Sequence, residues 1–466
     1  MAPPFTLEGP GVETADFRVT VFASGLDFPL GMAELSDGSI LATSSEGTRF
    51  FNSSGKLVRL VDSNGDGVAD GPPQVLYDDL PGSLTAVCVG GDLVFVMAVG
   101  RPLTILRKGD SPSDPLSFVG EIEFDYSDGS TTYHAHSALE LRETPGVSES
   151  YDLFFQIGSE SNFEESARTA TLSSTTVADV GGTLAADSAH MMTIADEGKQ
   201  VRMTDVVRIG SGLRNAAGYT FHPATGDLYF QDNGIDGLEV ATEPHSADEL
   251  NFIAREEIGQ KPVPDFGFPD NYTAYRTGEV VGGEGVQPVI AFQPIPDPDT
   301  GLRSEGPNNI TFAPPGFPDG LNTGIFLGFH GIFNQGGLDN DQNPVVYADP
   351  DTGEYFHIIR GQQEGVGHLI GLHATRDSLF VADLVTGGSL NDGAGQGVIY
   401  QIQAVIPPTP PQLASRRIGR ELELTWDRGV LQESDDLEGE WEEVENAFSP
   451  YVIEPEGTRR FFRAAY

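Results

Sequence analysis

Six segments of the chain repeat one pattern: an apolar strand, a turn that contains glycine or aspartate, and a second apolar strand. They span residues 19–45, 75–106, 119–158, 211–253, 309–328 and 367–402. Repeats of this kind are typical of units that cannot bury both faces alone, so that neighbouring units must stack. Because helical periodicity is nearly absent, the pattern predicts an all-β fold, a six-bladed β-propeller over residues 1–406.

Two long stretches interrupt the repeats. Residues 159–203 are rich in serine, threonine, alanine and acidic residues, and residues 254–300 are rich in proline, glycine and aspartate. Structureless loops of this length in a compact domain are usually functional or mobile. We therefore expect both insertions to lie over a face of the ring.

The composition changes after the predicted propeller. Residues 407–411 form a proline-rich, semi-rigid linker, and residues 412–466 carry both tryptophans, Trp426 and Trp441. Alternating apolar residues at 422–426 and 460–464 indicate strands. The tail resembles a small β-sandwich found at the C-terminus of many secreted proteins of planctomycetes, so we interpret it as an accessory or sorting module. A tryptophan that binds carbohydrate is an alternative, although a core tryptophan is more common at this size.

Charge and hydropathy limit the partners. The net charge of −44, with only four lysines, argues against nucleic acid, because phosphates would be repelled. No run of 18 apolar residues occurs, so no membrane span is expected, and the single cysteine, Cys88, excludes an intramolecular disulfide. The first residues lack signal-peptide character. The protein is therefore cytosolic or has lost a signal peptide, and the acidic surface favours a secreted or periplasmic location.

Residues 62–70 read Asp-Ser-Asn-Gly-Asp-Gly-Val-Ala-Asp. Oxygen-bearing side chains fall at positions 1, 3, 5 and 9, a glycine stands at position 6, and the carbonyl of the seventh residue adds a ligand in calcium loops. The spacing predicts a structural calcium site formed by Asp62, Asn64, Asp66, Val68 and Asp70. The glutamate that closes an EF-hand at position 12 is absent, because Pro73 stands there.

Arg214 and Asn215 lie side by side between glycines, directly before a predicted hairpin whose turn reads Pro-Ala-Thr-Gly-Asp. An arginine offers a planar fork of donors that suits a carboxylate or quinone oxygens, and an asparagine both donates and accepts. The pair is therefore a candidate ligand-binding element.

The surrounding pattern at 212–229, Gly-Leu-Arg-Asn-x-x-Gly-x-x-x-x-Pro-x-Thr-Gly-x-Leu-Tyr, resembles the soluble glucose and sorbosone dehydrogenase family. Residues 248–251, Asp-Glu-Leu-Asn, and 329–335, Phe-His-Gly-Ile-Phe-Asn-Gln, are similar to further motifs of that family. The resemblance implies a six-bladed propeller that oxidises a sugar hydroxyl with pyrroloquinoline quinone (PQQ) and calcium. Two positions depart from the family pattern, since Phe333 replaces a tryptophan and Gln335 an arginine that would meet a PQQ carboxylate.

The resemblance also implies roles for single residues. His134 stands five residues before Leu139 and corresponds to the general base, a role that suits imidazole because its pKa lies close to working pH. His136 is the competitor, because alternate residues of a strand face the same side. Arg214 would stabilise negative charge, and the cofactor would be bound by Arg214, Asn215, His330 and Asn334.

Two other classes of function stay open at this point. His134, His136, His330 and His368 come from three predicted blades and could converge on the channel as ligands of a transition metal, which would suit a metal-dependent polysaccharide lyase or hydrolase. A non-catalytic propeller that binds a glycan or a protein at its mouth is the third possibility. The sequence determines neither the substrate nor the oligomeric state.

Overall fold

The structure, a computed structural model, describes residues 4–52, 54–236, 243–293, 306–331, 336–339, 344–405, 409–455 and 459–466. Across these residues the chain is built from β-strands, and its helices are short 3₁₀ turns, namely Thr14–Asp16, Phe50–Asn52, Arg255–Glu257 and Gly337–Asp339. The predicted all-β class is confirmed. In the described part of the chain no helix has the length and apolar character needed to cross a membrane.

The strands form six antiparallel four-stranded units, numbered here as blades 1 to 6. The first strand, β1 (Phe17–Leu26), belongs to blade 6. Blade 1 contains β2 (Met32–Glu34), β3 (Ile40–Glu46), β4 (Ser54–Leu60) and β5 (Gln74–Pro81). Blade 2 contains β6 (Leu84–Gly90), β7 (Leu93–Ala98), β8 (Leu103–Arg107) and β9 (Ser117–Tyr126), followed at its outer edge by β12 (Thr169–Ser173) and β13 (Thr183–Ala185).

Blades 3 to 6 follow the same order. Blade 3 contains β10 (Glu140–Glu143), β11 (Ser150–Ile157), β14 (Ser188–Asp196) and β15 (Val201–Ser211). Blade 4 contains β16 (Gly218–Phe221), β17 (Leu228–Asp232), β18 (Asp248–Ile253) and β21 (Ile290–Phe292), with the hairpin β19 (Tyr272–Thr273) and β20 (Val280–Val281) inserted before β21. Blade 5 contains β22 (Pro307–Phe312), β23 (Ile325–Phe329), β24 (Val345–Ala348) and β25 (Tyr355–Ile359), and blade 6 contains β26 (Leu369–Ala374), β27 (Ser378–Asp383), β28 (Gly397–Ala404) and β1.

The blades form a closed ring. Their first strands contact one another in succession, from β2 through β6, β10, β16 and β22 to β26, and β26 contacts β2. The two ends of the propeller meet in blade 6, where β1 pairs with β28 and Val19 lies opposite Ile402. The predicted six-bladed propeller is thus confirmed, but the segment 19–45, which the sequence suggested as one repeat, is divided between blades 6 and 1.

Parts of both predicted insertions form strands of the blades. Residues 188–196, within the segment 159–203, form the third strand of blade 3, and residues 290–292, within 254–300, form the fourth strand of blade 4. The prediction that both segments lie outside the blades is wrong at these strands. β21 is only three residues long, and β14 pairs with the distant strand β11, so a local pattern did not reveal either strand.

The hydrophobic core lies between the sheets of neighbouring blades. Phe22 and Phe380 of blade 6 pack with Met32, Ile40 and Val58 of blade 1, and all five side chains are buried. Full burial of an aliphatic or aromatic side chain contributes about 1.5–3 kcal/mol. Closure of the ring therefore supplies core that no blade has alone.

Residues 413–465 form two three-stranded sheets. One contains β29 (Leu413–Ile418), β30 (Glu421–Trp426) and β33 (Tyr451–Ile453), and the other β31 (Val430–Ser434), β32 (Glu442–Glu443) and β34 (Phe461–Ala465). Trp426 is buried between them, as expected for a core tryptophan. Residues 406–408, at the start of the predicted linker 407–411, lie outside the described residues.

Candidate active site

A cavity of about 570 Å³ lies at one end of the central channel. It is formed by loops that precede the first strands of the blades and loops that follow the second strands. All six blades contribute to its wall, for example with Leu30, Thr85, His134, Arg214, His330 and His368. Four predicted site residues, His134, Arg214, Asn215 and His330, therefore line one cavity.

Arg214 is buried in the cavity wall, with 5% of its surface exposed. Its Nε donates to the carbonyl of Asn162 (3.1 Å), and its Nη2 donates to Asn162 Oδ1 (2.6 Å). Nη2 also lies 3.9 Å from a carboxylate oxygen of Asp236. Among the described residues, Nη1 has no hydrogen-bond partner, so one arm of the guanidinium fork is available to a ligand.

The backbone of Arg214 and Asn215 is held by Asp232, at the end of β17. The two oxygens of this carboxylate accept the N–H groups of Arg214 (2.9 Å) and Asn215 (2.5 Å). Burial raises the pKa of Asp232 to about 6, although both N–H groups and the Arg214 charge act in the opposite direction.

The same arrangement recurs in other blades. A side chain on the second strand accepts N–H groups from the loop before the first strand: Thr43 from Leu30 and Gly31, Gln156 from Ser137 and Ala138, and Asp383 from Gly367 and His368. This repeated contact fixes the loops that form the cavity wall.

His134 is placed as a neutral base. Its Nδ1 lies 3.2 Å from the carbonyl oxygen of Ser159 and must donate to it, which leaves Nε2 unprotonated and without a hydrogen-bond partner among the described residues. Burial, followed by the charge of Arg214, holds the pKa of His134 well below its ordinary value. The imidazole is therefore unprotonated at neutral pH, which is the form that a general base needs before the reaction, and its surroundings make it a weaker base than a free imidazole.

His136 occupies a different environment. It is completely buried outside the cavity lining, its Nδ1 is 2.8 Å from the hydroxyl of Tyr126, and its Nε2 is 2.6 Å from the carbonyl of Arg101. The expected alternation fails because residues 134–136 form a turn and not a strand, and His134 has a φ of +45°. His136 therefore has no free nitrogen for a substrate, and its proposed role as the competing base is not supported.

The histidines do not form a metal centre. Both ring nitrogens of His368 face carbonyl oxygens, those of His330 (2.7 Å) and Gly388 (3.0 Å). Within the described ranges, no group of three or more His, Cys, Asp or Glu side chains is arranged to hold a metal ion. The transition-metal alternative thus finds no ligand set in this part of the chain.

Other predicted residues have different outcomes. Asn334, and with it Phe333 and Gln335, lies outside the described residues. Asn162, which binds Arg214 and also accepts the N–H of Asp236, was not predicted. The only sequence signal for it was its position in the insertion 159–203.

The predicted calcium loop joins β4 to β5. Its side-chain oxygens bind N–H groups of the loop itself: Asp62 accepts from Gly67 (2.8 Å), Asn64 from Asp66 (2.8 Å), and Asp70 from Ser63 (2.8 Å). These bonds organise the turn but do not gather the carboxylates around one point. Calcium binding by Asp62, Asn64, Asp66, Val68 and Asp70 therefore stays a prediction.

No protein-family model matches the chain. A 61-residue segment is 39% identical to an uncharacterized protein of Borreliella burgdorferi, a match that covers 13% of this chain and 14% of that protein.

Solved structures match over most of the chain. A protein of carbohydrate-active enzyme family AA12 from Trichoderma reesei has 15% identity and a TM-score of 0.55, covering 87% of this chain and 99% of that one. The holo form of the PQQ domain of pyranose dehydrogenase from Coprinopsis cinerea has 14% identity and a TM-score of 0.55, covering 86% and 98%. The similarity in fold that the sequence motifs implied is confirmed.

Proposed function

We propose that this protein is a sugar dehydrogenase that oxidises a sugar hydroxyl, with PQQ as the electron acceptor bound in the cavity at the mouth of the channel. The observation that carries the proposal is the pairing of a neutral His134, whose Nε2 is unengaged, with the buried Arg214 in the wall of one cavity. A general base and a group that stabilises negative charge are the two functions that removal of hydrogen from an alcohol requires.

Arg214 is the cation that the described cavity wall offers to an anionic quinone. PQQ carries three carboxylates, and the free Nη1 of Arg214 offers a charge-assisted bond to a carboxylate or quinone oxygen in a buried setting. Asn215 and Asn308 add uncharged polar groups to the wall. Arg214, Asn215 and His330 are therefore the residues that would hold PQQ, which when bound would accept the hydride that leaves the sugar carbon.

The remaining steps belong to the chain itself. His134 would take the hydroxyl proton on Nε2 as the C–H hydrogen leaves with its electron pair, so that the C–O bond becomes a carbonyl. The bond from Nδ1 to Ser159 keeps the ring in the required tautomer. At the rim, Phe51 and Tyr133 are 40% and 42% exposed. One face of the Tyr133 ring stacks on His134 at 4.0 Å, so its other face and the ring of Phe51 are the surfaces on which a sugar could stack.

Three further features belong to the proposal. We infer a secreted or periplasmic location from the strongly acidic composition, a structural calcium ion at the loop 62–70, and a division into a propeller, residues 1–406, and an accessory module, residues 412–466.

The first prediction tests the base. In protein reconstituted with PQQ and calcium, His134→Ala should lower dye-linked sugar oxidation by about 10²–10⁴-fold, because general-base catalysis contributes that much. His357→Ala, on the outer strand β25, is the matched control and should keep the wild-type rate. A wild-type protein that oxidises no sugar in a broad panel, or a His134→Ala variant that retains full activity, would contradict the proposal.

A further inference from the structure

Arg168 is the largest fully buried side chain of the described residues, with 1% of its surface exposed. It lies outside the cavity lining. It belongs to the segment that leaves β11 of blade 3 and directly precedes β12, at the outer edge of blade 2. Its charge is balanced by Asp128, whose carboxylate oxygen is 2.9 Å from Nη2 and 3.0 Å from Nε. The ring of Tyr126 covers the guanidinium at 4.9 Å. A buried arginine of this kind is costly unless all its donors are used.

The remaining donor of Arg168 connects two backbone segments. Nη1 donates to the carbonyl of Tyr133 at 2.8 Å and approaches the carbonyl of Gly158 at 3.4 Å. Tyr133 immediately precedes His134. Gly158 donates its N–H to the carbonyl of His134 at 3.1 Å. Arg168 therefore holds both the residue before the proposed base and the segment that bonds to the carbonyl of that base.

The clamped segment also connects the base to the arginine of the site. Ser159 accepts the Nδ1–H of His134, and its own N–H donates to the carbonyl of Arg214 at 2.9 Å. A β-carbon at Gly158 would lie 2.7 Å from His134 Cβ and 3.0 Å from the Arg214 carbonyl oxygen. The backbone at 158–159 is thus wedged between the two catalytic candidates, and a small shift of it would move both.

His134 needs such support, because its φ of +45° is a left-handed conformation that is strained for a non-glycine residue. Strain of this kind persists only where the surroundings enforce it. Relaxation of the turn would separate Nδ1 from the Ser159 carbonyl, and either ring nitrogen could then carry the proton.

We propose that Arg168 is a positioning residue for His134: its guanidinium holds the strained turn against residues 158–159, so that Nδ1 stays protonated and Nε2 stays free in the cavity. This inference rests on the proposed role of His134 as the base. Arg168 acts through the backbone and contacts neither substrate nor cofactor.

The test is an NMR measurement of the His134 imidazole in protein labelled with ¹⁵N-histidine. The chain has nine histidines, and the His134 signals are assigned by their loss in His134→Asn. Arg168→Met removes both the clamp and its charge. Arg168→Lys retains a positive charge opposite Asp128 but loses the planar fork. Arg107→Met, which breaks an ion pair between Arg107 of blade 2 and Asp196 of blade 3, is the matched control.

Wild type and Arg107→Met should show a single His134 tautomer with the proton on Nδ1. Both Arg168 variants should show mixed tautomers.

The charges that face His134 are those of Arg214, which is itself near Asp236, and of Arg168 with its partner Asp128. The pKa of His134 should therefore rise in Arg168→Met, where one cation is lost, and stay low in Arg168→Lys. In the reconstituted enzyme, kcat should fall by about 100-fold in both variants with KM little changed, as expected for a misplaced catalytic group.

An unchanged tautomer in Arg168→Lys would overturn the inference, and this variant decides the test alone if Arg168→Met does not fold. The outcome is separable from that of the proposed function. If His134→Asn retains sugar oxidation, the proposed function fails, while the NMR comparison still reports whether Arg168 positions the ring.

Discussion

Burial determines the protonation state of single charged residues in the site. Asp232 is the clearest case, because its carboxylate is buried beneath the Arg214 loop and its pKa is raised to about 6 from 3.8. In the folded state the protonated form is favoured, so the folded protein binds more protons than the unfolded chain between these two values. Stability from this group is fully present below about pH 4 and is lost as the pH rises through 6.

Substitution by asparagine makes this contribution measurable. Asp232→Asn does not titrate, so the free energy of unfolding of wild type minus that of the variant should decrease by on the order of 2–3 kcal/mol between pH 4 and pH 7.5. The asparagine has only one accepting oxygen, so its NH₂ group faces one of the two backbone N–H groups. This mismatch lowers the free energy of unfolding of the variant by about 1–3 kcal/mol at every pH. Urea unfolding of both proteins across this range checks the sign, and a difference that stays constant or grows with pH would contradict the assignment.

Which site residues the sequence could predict depended on their distance along the chain. Arg214 and Asn215 carry a local motif, and His134 has the spacing to Leu139 of the resembled family, so all three were named as candidates. Asn162 and Arg168 were not, because their partners Arg214 and Tyr133 are 52 and 35 residues away. His136 was placed wrongly because the positive φ of His134 breaks the strand alternation on which that prediction relied.

At the level of elements, the hairpins were predictable and their assignment to blades was not. The turn after β16 closes as its sequence indicates, with His222 N–H bonded to Asp227 at 2.8 Å and Gly226 at a φ of +73°. In contrast, β12 pairs with β9 of the preceding blade, β13 pairs with β12, and β1 joins the last blade. These pairings depend on long-range hydrogen bonds for which a local pattern carries no signal.

The loop 62–70 connects two elements that close the ring. Thr20 of β1 donates from its hydroxyl to the carbonyl of Gly67 (2.5 Å), and Arg18 of β1 donates to the carbonyl of Gly65 (2.6 Å). The loop follows β4 of blade 1, whereas β1 completes blade 6. An ion that ordered this loop would therefore stabilise the contact between the first and last blades.

Calcium should accordingly raise stability through the loop. At about 100 times the dissociation constant, a bound ion adds about 2.7 kcal/mol to the free energy of unfolding, so chelation should lower the thermal midpoint of wild type. Asp66→Ala should abolish this difference. Asp78→Ala, an exposed carboxylate on the neighbouring strand β5, should retain it. Equal thermal midpoints of wild type with and without chelator would contradict calcium binding by this loop.

At the scale of the whole molecule, the site and the C-terminal sheets lie at opposite ends of β16. Arg214 precedes this strand, whereas the turn after it contacts the sheets. Ala224 packs into their small core, and Ser449 donates its N–H to the Ala224 carbonyl at 2.7 Å. Arg255 lies over the ring of Phe448 at 4.8 Å. The propeller ring, by contrast, closes through β1 and β28 without any residue of the tail.

This arrangement predicts that the tail is separable from catalysis. A chain ending at Pro411 should keep the kcat of the full chain, because every residue of the described cavity wall precedes residue 391 and the ring is complete without the tail. Its thermal midpoint should fall, because the apolar surface around Ala224 becomes exposed to water. Phe448→Ala in the full chain should give a smaller decrease in the same direction, since it removes only the contacts of one ring with Arg255 and Gly226. If the truncated chain is insoluble or inactive while Phe448→Ala is normal, the tail is part of one folding unit with the propeller, and the division at residues 407–411 is wrong.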